Sequence, residues 1–184
     1  SQKEKMTLIL VQLIGAISEA LELKDAYTAG HQKSVAQLSY LMGEKMGLSP
    51  ECLEGLKLGA LIHDIGKLAL PSQILSKPSR LTEAEFAMVK EHPEQGALII
   101  DEVEFPWPIK QMILQHHERL DGSGYPKGLK GKDIILEAKI IAVADIADSI
   151  LSHRPYRASL GMDVLTLSLI HISEPTRRTP ISYA

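Results

Sequence analysis

The stretch Leu61-Ile62-His63-Asp64-Ile65-Gly66-Lys67 constrains this chain more than any other. It sets an imidazole beside a carboxylate inside an apolar run. Burying such a pair is costly unless a partner compensates it. A divalent metal is the cheapest partner, because it accepts imidazole nitrogen and carboxylate oxygen together. Lys67 follows Asp64 and His63 by three and four positions, which on a helix puts it on their face. A cation there faces an anionic substrate rather than the metal. The competing reading is a helix stopped by Gly66, with His63 a hydrogen-bonded core residue. The pair alone leaves both open, and the supply of matching histidines elsewhere tips the balance.

The first helix is expected over about Met6 to Leu23, where apolar residues recur at helical spacing. A break from Asp25 leads into a second helix, from His31 to about Met46. Gly47-Leu48-Ser49-Pro50 is a stop and restart, with Ser49 as N-cap and Pro50 in the first turn. A third helix, about Glu51 to Ile65, carries His63 and Asp64 near its end. Leu68 to Arg80 reads as connector. Thr82 with Glu85 is a capping box opening a helix to about Glu91. His92-Pro93 breaks it, since proline disfavours helix in the residue before it. Further helices are expected over about Glu94 to Asp101, Ile109 to Arg119 and Ile134 to Leu151. The last bears Asp145 and Asp148 on one face. No strand and no repeat is evident.

The 184 residues suffice for one domain with a substantial core. With 45% hydrophobic but only 4% aromatic residues, that core is aliphatic and suits stacked helices. The net charge of -3 argues against binding a nucleic-acid polymer, though not against a small phosphorylated ligand. Cys52 is the single cysteine, consistent with a reducing cytoplasm. The longest uncharged apolar run, between Lys5 and Glu19, is too short to span a bilayer, so neither a membrane segment nor a signal peptide is expected.

Three regions result. Residues 1–24 form an N-terminal helix expected to continue from an upstream domain. Residues 25–165 form the functional domain. Residues 166–184 lose helical phasing and resemble translated adapter sequence, so the native domain is expected to be cut short near Asp163 to Leu165. His171 is excluded from the site on that ground.

Five of the seven histidines occupy positions that a metal centre could use: His31, His63, His92, His116 and His117. Asp64 and Asp145 add carboxylates. Neighbours on a helix point about 100° apart. His116 and His117 are thus expected to serve two ions side by side rather than chelate one, with Asp64 able to bridge. That describes a two-metal centre with ions roughly 3.5–4 Å apart. Mixed imidazole and carboxylate ligands suit iron or manganese.

His63-Asp64 with Asp145 resembles the signature of the HD metal-dependent phosphohydrolases. His116-His117-Glu118 followed by Asp121-Gly122-Ser123-Gly124-Tyr125-Pro126 resembles that of their HD-GYP branch, the cyclic di-GMP phosphodiesterases. The likeness runs from about Lys24 to Asp163. It implies an all-α fold, a single HD-type helical bundle with a buried metal centre. It also implies hydrolysis of cyclic di-GMP to linear pGpG, and further to GMP, by a hydroxide bridging two divalent ions, in bacterial second-messenger signalling.

By that resemblance His31 and Asp145 hold one metal with His63 and the bridging Asp64, while His92, His116 and His117 complete the second metal's shell. Lys67 acts with Asp64 at the scissile phosphate. Tyr125, Arg154 and Arg157 lie near the bound dinucleotide, and Asp148 orients Lys67. Some members place a glutamate four residues before the first histidine to hold a third metal. Tyr27 stands there, so two metals are expected. A diguanylate cyclase domain docked at the Gly-Tyr-Pro loop and a homodimer are among the expected assemblies. The alternatives are an interaction or cyclic-dinucleotide-binding module without need of catalysis, and a phosphodiesterase for another cyclic dinucleotide such as cyclic GMP-AMP.

Overall fold

The structure is a computed structural model that describes residues 2–25 and 28–151. Helices α1 (Gln2–Lys24), α2 (His31–Lys45) and α3 (Pro50–Ile62) come first. A 3-10 turn, Ile65–Ala69, follows the HD pair. Then come α4 (Ser72–Leu75), α5 (Glu83–Val89), α6 (His92–Ile99), α7 (Ile109–Gln115) and α8 (Leu136–Leu151), the last preceded by a 3-10 turn at Gly131–Asp133. Among the described residues the only strand-like pairing is an isolated antiparallel bridge between Asp121 and Lys130. The architecture is an all-α bundle.

The local signals explain several boundaries. Ser49 Oγ accepts from the Cys52 amide at 3.2 Å, and Pro50 occupies the first turn of α3. Thr82 and Glu85 form both halves of a capping box at α5. Pro93 sits in the first turn of α6. It therefore starts a helix that includes His92, where the sequence reading placed a break and a start near Glu94.

Helix α3 is the spine. Leu53, Leu56, Leu58, Ala60, Leu61 and Ile62 are buried, and the helix packs against α1, α2 and α7. Helix α8 crosses α2 and α7, and the 3-10 turn after α3 lies against α6. That last approach is close enough to demand glycine. A Cβ at Gly66 would overlap the His92 carbonyl oxygen. Gly66 is thus a packing residue that brings the HD pair against α6, rather than a helix terminator alone.

Helix α1 revises one expectation. By length and composition its Lys5–Lys24 segment could cross a membrane, with a mean hydropathy of 1.7 over 18 residues. Glu19 and Glu22 are the only charged residues between its terminal lysines. In the structure one side of α1 is packed on the domain, burying Ile14, Ser18 and Leu21.

Candidate metal centre

The site collects the ends of helices. His63 is the C-cap of α3, and Asp64 follows it at the head of the 3-10 turn. The third helix stops at Ile62, three residues short of the expected end. Lys67 therefore lies on the 3-10 turn. It still faces Asp64, with Nζ 3.0 Å from Oδ2. His31 opens α2, His92 opens α6, and Asp145 lies in α8. His116 caps α7 and His117 lies just beyond it.

These residues form two adjoining groups. In each, ligand atoms lie within 4.8 Å of one another: Asp64, His92, His116 and His117 in one, His31, His63 and Asp145 in the other. The two oxygens of Asp64 divide between them. Oδ1 is 3.2 Å from His92 Nε2 and 3.6 Å from His116 Nε2. Oδ2 is 3.4 Å from His63 Nε2. All seven expected metal ligands are therefore brought together.

His116 and His117 fall into the same group, not into two. The expected split assumed that both were helical. Because α7 ends at Gln115, the backbone turns after His116, and the two rings sit 4.2 Å apart, centroid to centroid.

The donor set fits a metal on this structure's own terms. His63, His92 and His116 each direct Nδ1–H to the carbonyl three residues earlier, Ala60, Val89 and Ile113, at 2.6–2.7 Å. Those bonds fix the tautomer, so Nε2 presents its lone pair inward, as ligating histidines require. His63 Nε2 is fully buried and has no hydrogen-bond partner. A buried nitrogen left so would be costly without a ligand.

The charges differ across the site. Burial would keep His31 neutral, but hydrogen bonds to Asp145 (2.8 Å) and Asp148 (2.5 Å) outweigh it and raise its pKa to about 9. His116 goes the other way. Burial pushes it down to about 4, and burial with the neighbouring His116 and His92 lowers His117 also. Burial disfavours the charged forms of Asp64 and Lys67 alike. Each nevertheless stays ionised: Lys67 holds Asp64 well below the carboxylate range, while Asp64 and Asp25 raise Lys67.

Asp148 lies beside His31 in the site. It accepts from His31 Nδ1, and the second carboxylate near Lys67 is Asp25, 3.8 Å away at the end of α1. Tyr125 stacks on His117, centroids 4.7 Å apart and planes within 17°. Arg154, Arg157 and Tyr27 lie outside the described residues, as do residues 166–184.

Three contributors had no assigned role in the sequence reading. Gln32 donates to Asp64 Oδ2 at 3.2 Å and is fully buried. Asp25 supports Lys67. Glu118, quoted only as part of a motif, is buried and accepts from the Lys127 and Leu129 amides at 2.8 Å each. It ties the loop beneath Tyr125 to the histidine pair. The approach is tight, because a Cβ at Gly124 would strike the His117 carbonyl. A buried glutamate directly after two ligand candidates was the available signal.

The HD domain family matches residues 15–167. This chain belongs to that family. Its HD pair, its His116-His117 pair and the Gly-Tyr-Pro loop set it in the HD-GYP branch. It is 39% identical over 154 residues to the cyclic di-GMP phosphodiesterase response regulator RpfG of Xanthomonas campestris pv. campestris, covering 83% of this chain and 41% of the relative. It is 37% identical to the 3'3'-cGAMP-specific phosphodiesterase 1 of Vibrio cholerae serotype O1, covering 80% and 34%. The chain thus spans well under half the length of these relatives. Among solved structures, the HDG"Y"P protein Bd1817 from Bdellovibrio bacteriovorus superposes with a TM-score of 0.66 at 26% identity, covering 79% of this chain and 48% of that one. The HD domain of the L. monocytogenes phosphodiesterase PgpH in complex with cyclic-di-AMP gives 0.62 at 22% identity, covering 86% and 81%, and shares the fold.

Proposed function

We propose that this chain is the hydrolytic domain of a metal-dependent phosphodiesterase that opens cyclic di-GMP to linear pGpG, with further cleavage to GMP as a second step. The observation that carries the reading is the complete seven-residue ligand set around Asp64, with Lys67 charged beside it. Two divalent ions suit the two groups, and iron or manganese suits their mixed nitrogen and oxygen donors. When bound, such ions supply Lewis acidity, polarising the phosphoryl group and acidifying the attacking water.

The chain's own residues do the rest. Lys67, held cationic by Asp64 and Asp25, offsets charge that develops on the phosphoryl oxygens. His63, His92 and His116 are locked by their carbonyl bonds, so the donor array needs little rearrangement on binding. Tyr125, stacked on His117, offers an aromatic edge to a base or ribose, and Glu118 holds its loop in place. Arg154 and Arg157 are proposed to hold the second phosphate through guanidinium forks.

The relatives named for 3'3'-cGAMP favour one variant, in which the second base is adenine. A pure interaction module is disfavoured by the intact ligand set. Docking of a diguanylate cyclase domain at the Gly-Tyr-Pro loop is compatible with catalysis. We assign the activity to bacterial signalling in the cytoplasm, consistent with the exposed free thiol of Cys52.

The deciding experiment incubates iron- or manganese-loaded protein with cyclic di-GMP and with 3'3'-cGAMP, and separates the products. Release of pGpG that disappears in D64A supports the proposal. Intact cyclic dinucleotides, or equal turnover by D64A, would refute it.

A further inference from the structure

Helix α2 opens on a metal ligand but brings no cap of its own. The first amides of a helix need acceptors from outside it. A serine, threonine, aspartate or asparagine just before the helix usually provides one. Here that place is held by Gly30, left-handed at φ 76°, which has no side chain to offer, and the first turn of α2 carries no acid.

The acceptor comes from α1. Glu22, half-buried in its last turn, reaches α2 with both carboxylate oxygens. Oε2 accepts from the Gly30 amide at 2.9 Å and Oε1 from the Gln32 amide at 3.2 Å. A carboxylate there also meets the positive end of the helix dipole.

The two amides flank His31, and both neighbours matter to the site. The His31 ring bonds Asp145 and Asp148, while the Gln32 side chain donates to Asp64 Oδ2. One carboxylate thus fixes the backbone of a ligand and of the residue that orients the shared carboxylate. The end of α1 is itself seated on the site. Lys24 Nζ donates to the Leu68 carbonyl, beside Lys67, and Asp25 faces Lys67 directly. One turn earlier Glu19 pairs with Lys33 of α2 at 2.7 Å, but that pair joins two exposed side chains rather than capping amides.

We infer that Glu22 is a positioning residue of the metal centre. By capping α2 from α1, it sets the backbone from which His31 and Gln32 reach the ligand groups. The inference rests on the metal-centre reading and is independent of which phosphodiester is cleaved. A cap that only stabilised the fold would lower the melting temperature and leave both ions bound alike.

Equilibrium dialysis of the whole chain against manganese alone tests it, with amide hydrogen exchange followed in parallel. The wild type is expected to hold two ions. Asp148→Asn marks the ion of the His31 group, because Asp148 accepts from His31 Nδ1. Glu22→Ala should stay helical and exchange the Gly30 and Gln32 amides faster. It should bind that same ion about tenfold more weakly, the low end for a group that supports a ligand, and leave the other unchanged. Glu22→Gln keeps one carbonyl oxygen and should fall between; it decides the matter if Glu22→Ala does not fold. Glu19→Gln breaks a bond between the same two helices without touching the cap and should match the wild type. Wild-type affinities in the folded Glu22 variants overturn the inference, as do equal weakening of both ions or a loss in Glu19→Gln equal to theirs. A wild type that takes up no manganese defeats the metal-centre reading and this inference with it.

Discussion

Both halves of the metal centre hold a histidine oriented by a backbone carbonyl, but only one half clamps a second histidine between two carboxylates. Around Asp64 Oδ1, His92 and His116 are oriented by backbone carbonyls, and burial keeps His116 and His117 neutral. Their lone pairs are ready. In the other half His31 is clamped between Asp145 and Asp148, and it binds a proton with a pKa of about 9. Carbonyl orientation leaves a ligand available, whereas carboxylate clamping stores a proton where an ion would sit. The first half is therefore expected to take its ion more tightly and with little response to pH. The second must release a proton first.

The largest effect should come from the residue that both halves share. D64A is expected to lose both ions by elemental analysis and to lower turnover roughly a thousandfold, in keeping with several kcal/mol of lost charge stabilisation. Retention of one full ion would show that the halves do not share this carboxylate.

Proton competition comes next. His31 rises from 6.5 to about 9 in the folded, metal-free protein. A raised pKa contributes stability below 6.5, and that contribution is lost as pH climbs through about 9. Affinity for the second ion moves the opposite way, because the ion displaces the proton. It should rise about tenfold per pH unit between those values for each proton released, while the first ion's affinity stays nearly flat. Calorimetric titration at several pH values in two buffers of different ionisation enthalpy reads both. Equal slopes for the two ions would erase the distinction.

Lys67→Met should leave metal content unchanged and reduce kcat by about a hundredfold, the usual scale for one lost charge stabiliser. Loss of metal instead would make Lys67 a structural counter-ion of Asp64. The smallest effect is expected from Asp148→Asn. It should weaken the second ion by about tenfold, the low end for a group that supports a ligand, and leave the first unchanged in equilibrium dialysis. An equal loss at both sites would couple the halves through α2 and α8.

Much of this could be read from residue order, because it is local chemistry. The Thr82–Glu85 capping box and the Ser49 cap each join atoms only three residues apart. The ligand inventory was also legible, since an imidazole and a carboxylate in an apolar run have few other uses. Helix ends were less so. Periodicity carried α3 on to Ile65 and α7 on to Arg119, but they stop at Ile62 and Gln115, where the backbone turns into the site.

What the tertiary structure alone decided is which of these groups meet. Asp148 reaches His31 across 117 positions, Asp25 approaches Lys67 from just beyond α1, and His116 and His117 share one group because a helix ends before them. Short-range hydrogen bonds follow from the order of neighbouring residues. Contacts between helices depend on how the buried faces of α3, α6 and α8 settle against one another, and no pattern within a single helix encodes that.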